Sequence, residues 1–195
     1  MTGGKLDNLA LAVHRNADGA VERLVRNYQD RLYSYALRLL RDPFDAREVT
    51  QDAFMRACDA LTKRYDEPMC RNLELGPWLF RITRNLAFTR CRRRRVRREV
   101  SVEDSVEAQA SGSGPAAEGI RNLETGEKRR ALQSALDRLD REARDLVVLR
   151  FMEELSYAEI AAIVGSGETS VRGKVFRALR KLRTTLTKSG GRNAL

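Results

Sequence analysis

Leu155–Leu182 reads LSYAEIAAIVGSGETSVRGKVFRALRKL, and no other stretch of the chain carries as much local structural instruction. Ser156 followed three residues later by Glu159 is an S-x-x-E capping box, in which each side chain satisfies a backbone N–H at a helix start. Leu155 and Ile160 hold the two positions of the hydrophobic staple around it. Ile160, Ala161, Ile163 and Val164 then face inward, and Gly165 is placed to end the helix, because glycine takes the left-handed C-cap conformation without strain. Ser166 and Gly167 form the turn, and from Glu168 a second helix puts Val171, Val175, Ala178, Leu179 and Leu182 on one stripe. Thr169, Gly173, Phe176, Arg177 and Arg180 point away from that stripe, with Arg172 at its margin and Ser170 beside Thr169. A short capped helix, a turn with glycine and a longer basic helix make the helix-turn-helix signature. An ordinary helical hairpin would account for the apolar stripes, but not for the caps together with a net charge of +5 over Glu168–Arg183. Arg172 and Arg177 suit guanine edges or phosphates. Gly173 costs about 0.5–1 kcal/mol inside a helix and, on the outward arc, permits close approach to DNA.

Upstream, Leu132, Ala135, Leu136 and Leu139 are followed by a break near Asp140 and Arg141, then by Leu146, Val147, Val148, Leu149 and Phe151. These complete a C-terminal helical unit over 128–195. Before it, residues 99–127 hold seven carboxylates and one arginine around ASGSGPAAEG, with no aromatic side chain. Such a composition cannot bury enough apolar surface to fold and reads as a linker. Its charge of −6 leaves +16 on the flanking parts, given +10 for the chain. It serves either solubility or the electrostatic guarding of a basic channel on a partner.

The other basic segment runs from Trp78 to Arg98, WLFRITRNLAFTRCRRRRVRR, with nine arginines from Arg81 onward and no carboxylate. Helical spacing places Trp78, Leu79, Ile82 and Leu86 on one stripe and Phe80, Arg81, Arg84 and Phe88 on the opposite arc. Arginines interleaved with aromatics suit nucleic acid, since guanidinium groups bind phosphate and rings stack on exposed bases. A solvated charge run, or a basic tail for membrane or RNA, is the plainer reading. Ahead of it, Val21, Leu24, Val25, Tyr28, Leu32, Tyr35, Ala36 and Leu39 mark a helix ending at Arg41. Asp42 is an N-cap and Pro43 the first residue of a second helix, with Asp45 favourably placed in its first turn. That helix reaches about Leu61 and buries Ala46, Val49, Ala53, Ala57 and Leu61, leaving Glu48, Gln51, Asp52 and Met55 as a solvated face or a docking surface. Thr62–Pro77, TKRYDEPMCRNLELGP, reads as a loop from its prolines and glycine.

The chain of 195 residues is thus expected to be all-α, with two small helical domains, 1–98 and 128–195, on either side of the 99–127 linker. No apolar run reaches the 18 or so residues of a membrane span, and MTGGKLDNLA lacks a signal-peptide core, so no membrane insertion and a cytoplasmic location are expected. Cys58, Cys70 and Cys91 with the single His14 indicate neither a disulfide framework nor a zinc site. Cys58 reads as a core residue, Cys91 among arginines admits a redox role, and His14 reads as solvated. No nucleophile with its base, metal-ligand set or phosphate loop is present, so no catalytic residue, metal or cofactor is expected.

Three blocks carry a resemblance: LYSYALRLLRDPFDAREVTQDAFMRA (Leu32–Ala57), GPWLFRITRNLAFTRCRRRR (Gly76–Arg95), and Leu139–Arg183, which contains the helix-turn-helix. In that order they resemble the bacterial extracytoplasmic-function (ECF) sigma factors of the sigma-70 superfamily, which retain regions 2 and 4. The resemblance implies a transcription initiation factor that binds core RNA polymerase and directs it to promoters. It implies docking of Glu48, Gln51, Asp52 and Met55 on the clamp helices of the large polymerase subunit, with the flap as a further polymerase contact. Trp78, Phe80, Arg81, Arg84, Asn85, Phe88, Arg92 and Arg93, with the 62–77 loop, become the part that captures the minus-ten promoter region as single strand. Thr169, Ser170, Arg172, Gly173, Phe176 and Arg177 become the minus-thirty-five reader. An anti-sigma factor is implied as a further partner. A stand-alone helix-turn-helix regulator leaves the 43–61 helix unexplained, and an RNA-binding or membrane-surface protein leaves the helix-turn-helix unexplained.

Overall fold

The computed structural model describes residues 9–100 and 132–190. The chain divides into two compact units, Met1–Gly112 and Ser113–Leu195. The described residues are helical with no strand, and among them no helix is long and apolar enough to cross a membrane. Of the expected linker, residues 101–127 lie outside the described residues.

In the first unit the elements are α1 (Leu9–His14), α2 (Ala20–Leu40), α3 (Pro43–Lys63), α4 (Glu67–Asn72) and α5 (Leu75–Val100). Arg41 closes α2 in the left-handed conformation, and Asp42 Oδ1 accepts from the Phe44 and Asp45 amides at 2.9 and 3.0 Å to start α3. The expected inner face of α3, from Ala46 to Leu61, is buried. Val21, expected on the α2 stripe, is exposed.

Three expectations for this unit are corrected. His14 is not solvated: it ends α1, whose Leu9, Ala10, Leu11 and Val13 are buried, and its Nδ1 donates to the Leu61 carbonyl oxygen at 2.8 Å. The 62–77 segment is not wholly a loop, because Asp66 caps α4 by accepting from the Met69 amide at 2.8 Å, with proline in the first helical turn. Six residues are too few to show a period. Phe80 does not lie on the outward arc of α5: it is 0% exposed, edge-on to Tyr35 at 5.3 Å. The buried side of α5 is centred on Leu79, Thr83, Ala87 and Cys91, small residues for the most part, which let the helix approach α2 and α3 closely. The large apolar Ile82 and Leu86, which suggested the stripe, sit half-buried at its edge.

Arg15 ties α1 to α4 with a bidentate pair, Nε to Glu67 Oε1 at 2.9 Å and Nη2 to Glu67 Oε2 at 2.8 Å. That hydrogen bonding holds the Glu67 carboxyl down to about 2, from an ordinary 4.5. A group whose pKa falls on folding contributes stability above its unfolded value and loses it as pH falls through the folded one, so this tie weakens between about pH 4.5 and 2. A carbon-detected NMR titration is expected to place the Glu67 midpoint near 2 in the wild type and distinctly higher in Arg15→Ala; equal midpoints would contradict the assignment.

In the second unit residues 132–137 form α6, followed by α7 (Arg141–Phe151), α8 (Tyr157–Val164) and α9 (Glu168–Gly190). Leu136, Leu139, Val147, Ala178 and Leu182 share the core. The buried Arg144 donates to the carbonyl oxygens of Leu136, Asp137 and Leu139 at 3.0, 3.2 and 2.9 Å, and so closes the end of α6. The capping box is formed: the Ser156 amide donates to Glu159 Oε2 at 2.7 Å and the Glu159 amide to Ser156 Oγ at 3.2 Å. Leu155 and Ile160 are both buried, and Gly165 ends α8 at φ 68°. Phe151 and Leu179, expected inside, are exposed.

Candidate nucleic-acid interface

Three outward faces collect the expected site residues. On α3, Glu48, Gln51 and Met55 recur at helical spacing with Asp52 alongside, and Met55 is 63% exposed although its neighbours on the inner face are fully packed. Phe44, at the N-terminus of the same stripe, is 68% exposed. Sequence reading passed over it because a single aromatic beside a helix start carries no periodic signal.

On α5 the outward face holds Arg81, Asn85 and Arg92 exposed, with Arg84 and Phe88 half-buried between them. Arg84 lies over the Phe88 ring at 4.4 Å. Arg93 is exposed beside this face. Phe80 does not join it, for the reason given above. Trp78 does not present a free ring either: it is 8% exposed, its Nε1 donates to Tyr65 Oη at 3.0 Å, and the two rings lie 5.6 Å apart. The indole therefore joins the start of α5 to the segment that follows α3.

The opposite side of α5 carries a feature that sequence reading missed. Asp45, assigned there only to a helix dipole, is buried and paired with both Arg90 and Arg94. Hydrogen bonding to Asp45 raises the Arg90 pKa, and hydrogen bonding from Arg94 lowers that of Asp42. The signal available in the sequence was two arginines one turn apart on the buried side of an otherwise uncompensated cationic helix.

In the second unit, Thr169, Ser170, Arg172, Phe176 and Arg177 are exposed and Gly173 is half-buried along one broad face of α9, with Phe176 at 68%. Arg172 is held by Glu168 at 2.8 Å and lies over the Tyr157 ring at 5.1 Å, whereas the Arg177 guanidinium rests 3.6 Å from where a β-carbon on Gly173 would be. Cys70 and Cys91 are buried and Cys58 is half-buried; desolvation pushes the Cys58 and Cys70 thiols up. Burial of Cys91 removes the exposure that a redox role needs.

The model of Sigma-70 region 2 matches residues 24–97, and that of Sigma-70 region 4 matches residues 129–182. The ECF RNA polymerase sigma-E factor of Escherichia coli is 32% identical over 170 residues, covering 85% of this chain and 86% of that one. The chain belongs to the ECF sigma factors. The ECF RNA polymerase sigma factor SigE of Mycolicibacterium smegmatis is 35% identical over 177 residues, and this sigma factor spans 64% of that longer relative. Among solved structures, RpoE of Bartonella quintana, crystallised with the anti-sigma factor NepR, superposes with a TM-score of 0.69 at 23% identity over 87% of this chain and 98% of that one. That likeness concerns the fold. The matched regions place α2 from residue 24, α3, α4 and α5 up to residue 97 of this sigma factor in region 2, and α6, α7, α8 and α9 up to residue 182 in region 4.

Proposed function

We propose that this chain binds core RNA polymerase and directs it to specific promoters as a transcription initiation factor. The observation that carries the reading is the order of parts within one chain of the family: a region 2 with Gln51, Asp52 and Met55 exposed on α3 beside a Glu48 paired with Arg90, and a cationic face on α5, then a region 4 with a capped helix-turn-helix. In this reading residues 1–98 dock on polymerase and capture the minus-ten strand, 99–127 link, and 128–195 read the minus-thirty-five element. Glu48, Gln51, Asp52 and Met55, joined by Phe44, meet the clamp helices of the large subunit, and the flap is a further contact on the polymerase. An anti-sigma factor is the third partner, of a kind common in the family. The chain acts in the cytoplasm and by binding alone, without a catalytic step.

The division of labour follows from the chemistry of DNA. Opening a duplex costs stacking of about 1.4 kcal/mol per step. A flipped base recovers part of this in a protein pocket, while cations hold the separated strand. Arg81, Arg92 and Arg93 supply the second requirement, with Asn85 able to hydrogen-bond and Phe88 able to stack on the strand between them, and the Tyr65–Trp78 wall beside α4 bounds the first. Arg84 adds a ring-supported cation. Duplex readout needs a helix in the major groove, and Thr169, Ser170, Arg172, Gly173, Phe176 and Arg177 on α9 have the exposure it requires.

Arg177→Ala is expected to weaken holoenzyme binding at the upstream promoter element by about 1 to 3 kcal/mol, if the guanidinium contacts a base. Fluorescence anisotropy on the mapped element measures this, and unchanged affinity there would contradict the placement of α9.

A further inference from the structure

The arginine run after Phe88 is uniform in sequence but not in structure. Arg90 and Arg94 stand one turn apart on the side of α5 that faces α3, and both reach Asp45, whose side chain is 3% exposed. Arg90 Nε donates to Asp45 Oδ1 at 2.9 Å while its Nη2 donates to Glu48. Arg94 holds its Nε 2.8 Å from Asp45 Oδ2 and donates from Nη2 to Asp42. Arg92 and Arg93 are exposed and make no ion pair with another described residue.

Between Thr83 and Arg97 the buried residues of α5 are Ala87 and Cys91, which have too little side chain to orient a long helix by apolar packing alone. The ion pairs take over that task. A buried carboxylate left without its cations is strongly disfavoured, so the two guanidinium groups cannot both be released to phosphates without leaving Asp45 uncompensated. Guanidinium also suits this role by geometry, since its fork can serve two carboxylates at once.

We infer that Asp45 is a positioning residue for strand capture: it holds Arg90 and Arg94 as anchors that fix the arginine-bearing half of α5 on α3, so that Arg92 and Arg93 contact the phosphates of the captured strand. The inference rests on the proposed reading of α5 as the strand-capturing helix. It also braces that helix to the helix proposed to dock on polymerase, through Arg90, which bridges the Glu48 and Asp45 carboxylates.

The test is the salt dependence of binding, because each phosphate contact to a single strand contributes about 0.7 to the slope of log affinity against log salt. The full-length chain is titrated with a fluorescent mixed-sequence single-stranded DNA at several salt concentrations. Arg92→Ala and Arg93→Ala are each expected to flatten the slope by about 0.7, while Arg90→Ala and Arg94→Ala leave it unchanged and lower the melting temperature instead. Asp45→Asn, which preserves shape, leaves Arg90 with Glu48 and Arg94 with Asp42 but removes the buried charge that ties both to α3, so it is expected to flatten the slope by displacing Arg92 and Arg93, and this variant decides the matter if an anchor variant fails to fold. Flattening by Arg90→Ala or Arg94→Ala equal to that by Arg92→Ala, or an unchanged or steeper slope with Asp45→Asn, would overturn the assignment. If neither pair of arginines alters the slope, α5 is not the strand-binding helix, and the assignment falls together with that reading.

Discussion

The double substitution Gln51→Lys, Asp52→Lys is expected to cut affinity for core RNA polymerase by at least about a hundredfold while the chain keeps its fold. Both side chains are exposed on α3, and neither makes a hydrogen bond or ion pair with another described residue, so no internal contact is lost. Lysine is a good helix former. The new cations meet Arg47 and Arg56 one turn away, and like charges at that spacing cost only a few tenths of a kcal/mol each. At an interface the same change reverses the charge offered to the partner, and like-charge juxtaposition there costs several kcal/mol. Retention on immobilised core polymerase, with a circular-dichroism melt as the folding control, measures both parts. Wild-type retention of the double variant would contradict the assignment of this face.

Phe80→Ala is expected to have an effect of similar size on a different quantity. The Phe80 ring has no exposed surface, packs edge-on against Tyr35, and lies 5.3 Å from the Arg31 guanidinium. Removing a fully buried phenylalanine costs about 3–5 kcal/mol in lost transfer energy and cavity formation. For a domain of this size each kcal/mol moves the melting temperature by roughly 4–8 °C, so region 2 is expected to melt more than about 10 °C lower. Phe88→Ala, at a half-buried position on the outward face, is expected to leave the melting temperature within a few degrees and to weaken strand capture. The contrast separates a packing role from a contact role. An unchanged melt for Phe80→Ala with DNA binding lost would return Phe80 to the nucleic-acid face.

The contrast between Phe80 and Phe88 also marks where sequence reading succeeds. The helix-turn-helix was legible because its signals are local: Ser156 and Glu159 satisfy each other's backbone, and Gly165 adopts the one conformation for which glycine is preferred. The inner face of α3 was legible because its apolar residues repeat over several turns. The rotation of α5 was not, since Thr83, Ala87 and Cys91 define its buried side and small residues weigh little in a hydrophobic pattern. The first-turn placement of Asp45 was legible, but its pairing was not. A carboxylate in a first helical turn looks the same whether it is solvated or, as here, held by arginines some 45 residues away. The short α1 and α4 gave no period to detect, and their hold on the unit comes from His14, Arg15 and Glu67, each bonded to a residue distant in sequence.

The most direct test of the central claim is reconstituted transcription: the full-length chain, core RNA polymerase and fragmented DNA of the native genome, with start sites mapped. The account predicts starts that require the added chain, cluster at a small set of promoters sharing two sequence elements, and vanish with the Gln51→Lys, Asp52→Lys variant. Starts unchanged by adding the chain, although it is folded and bound to core, would contradict it.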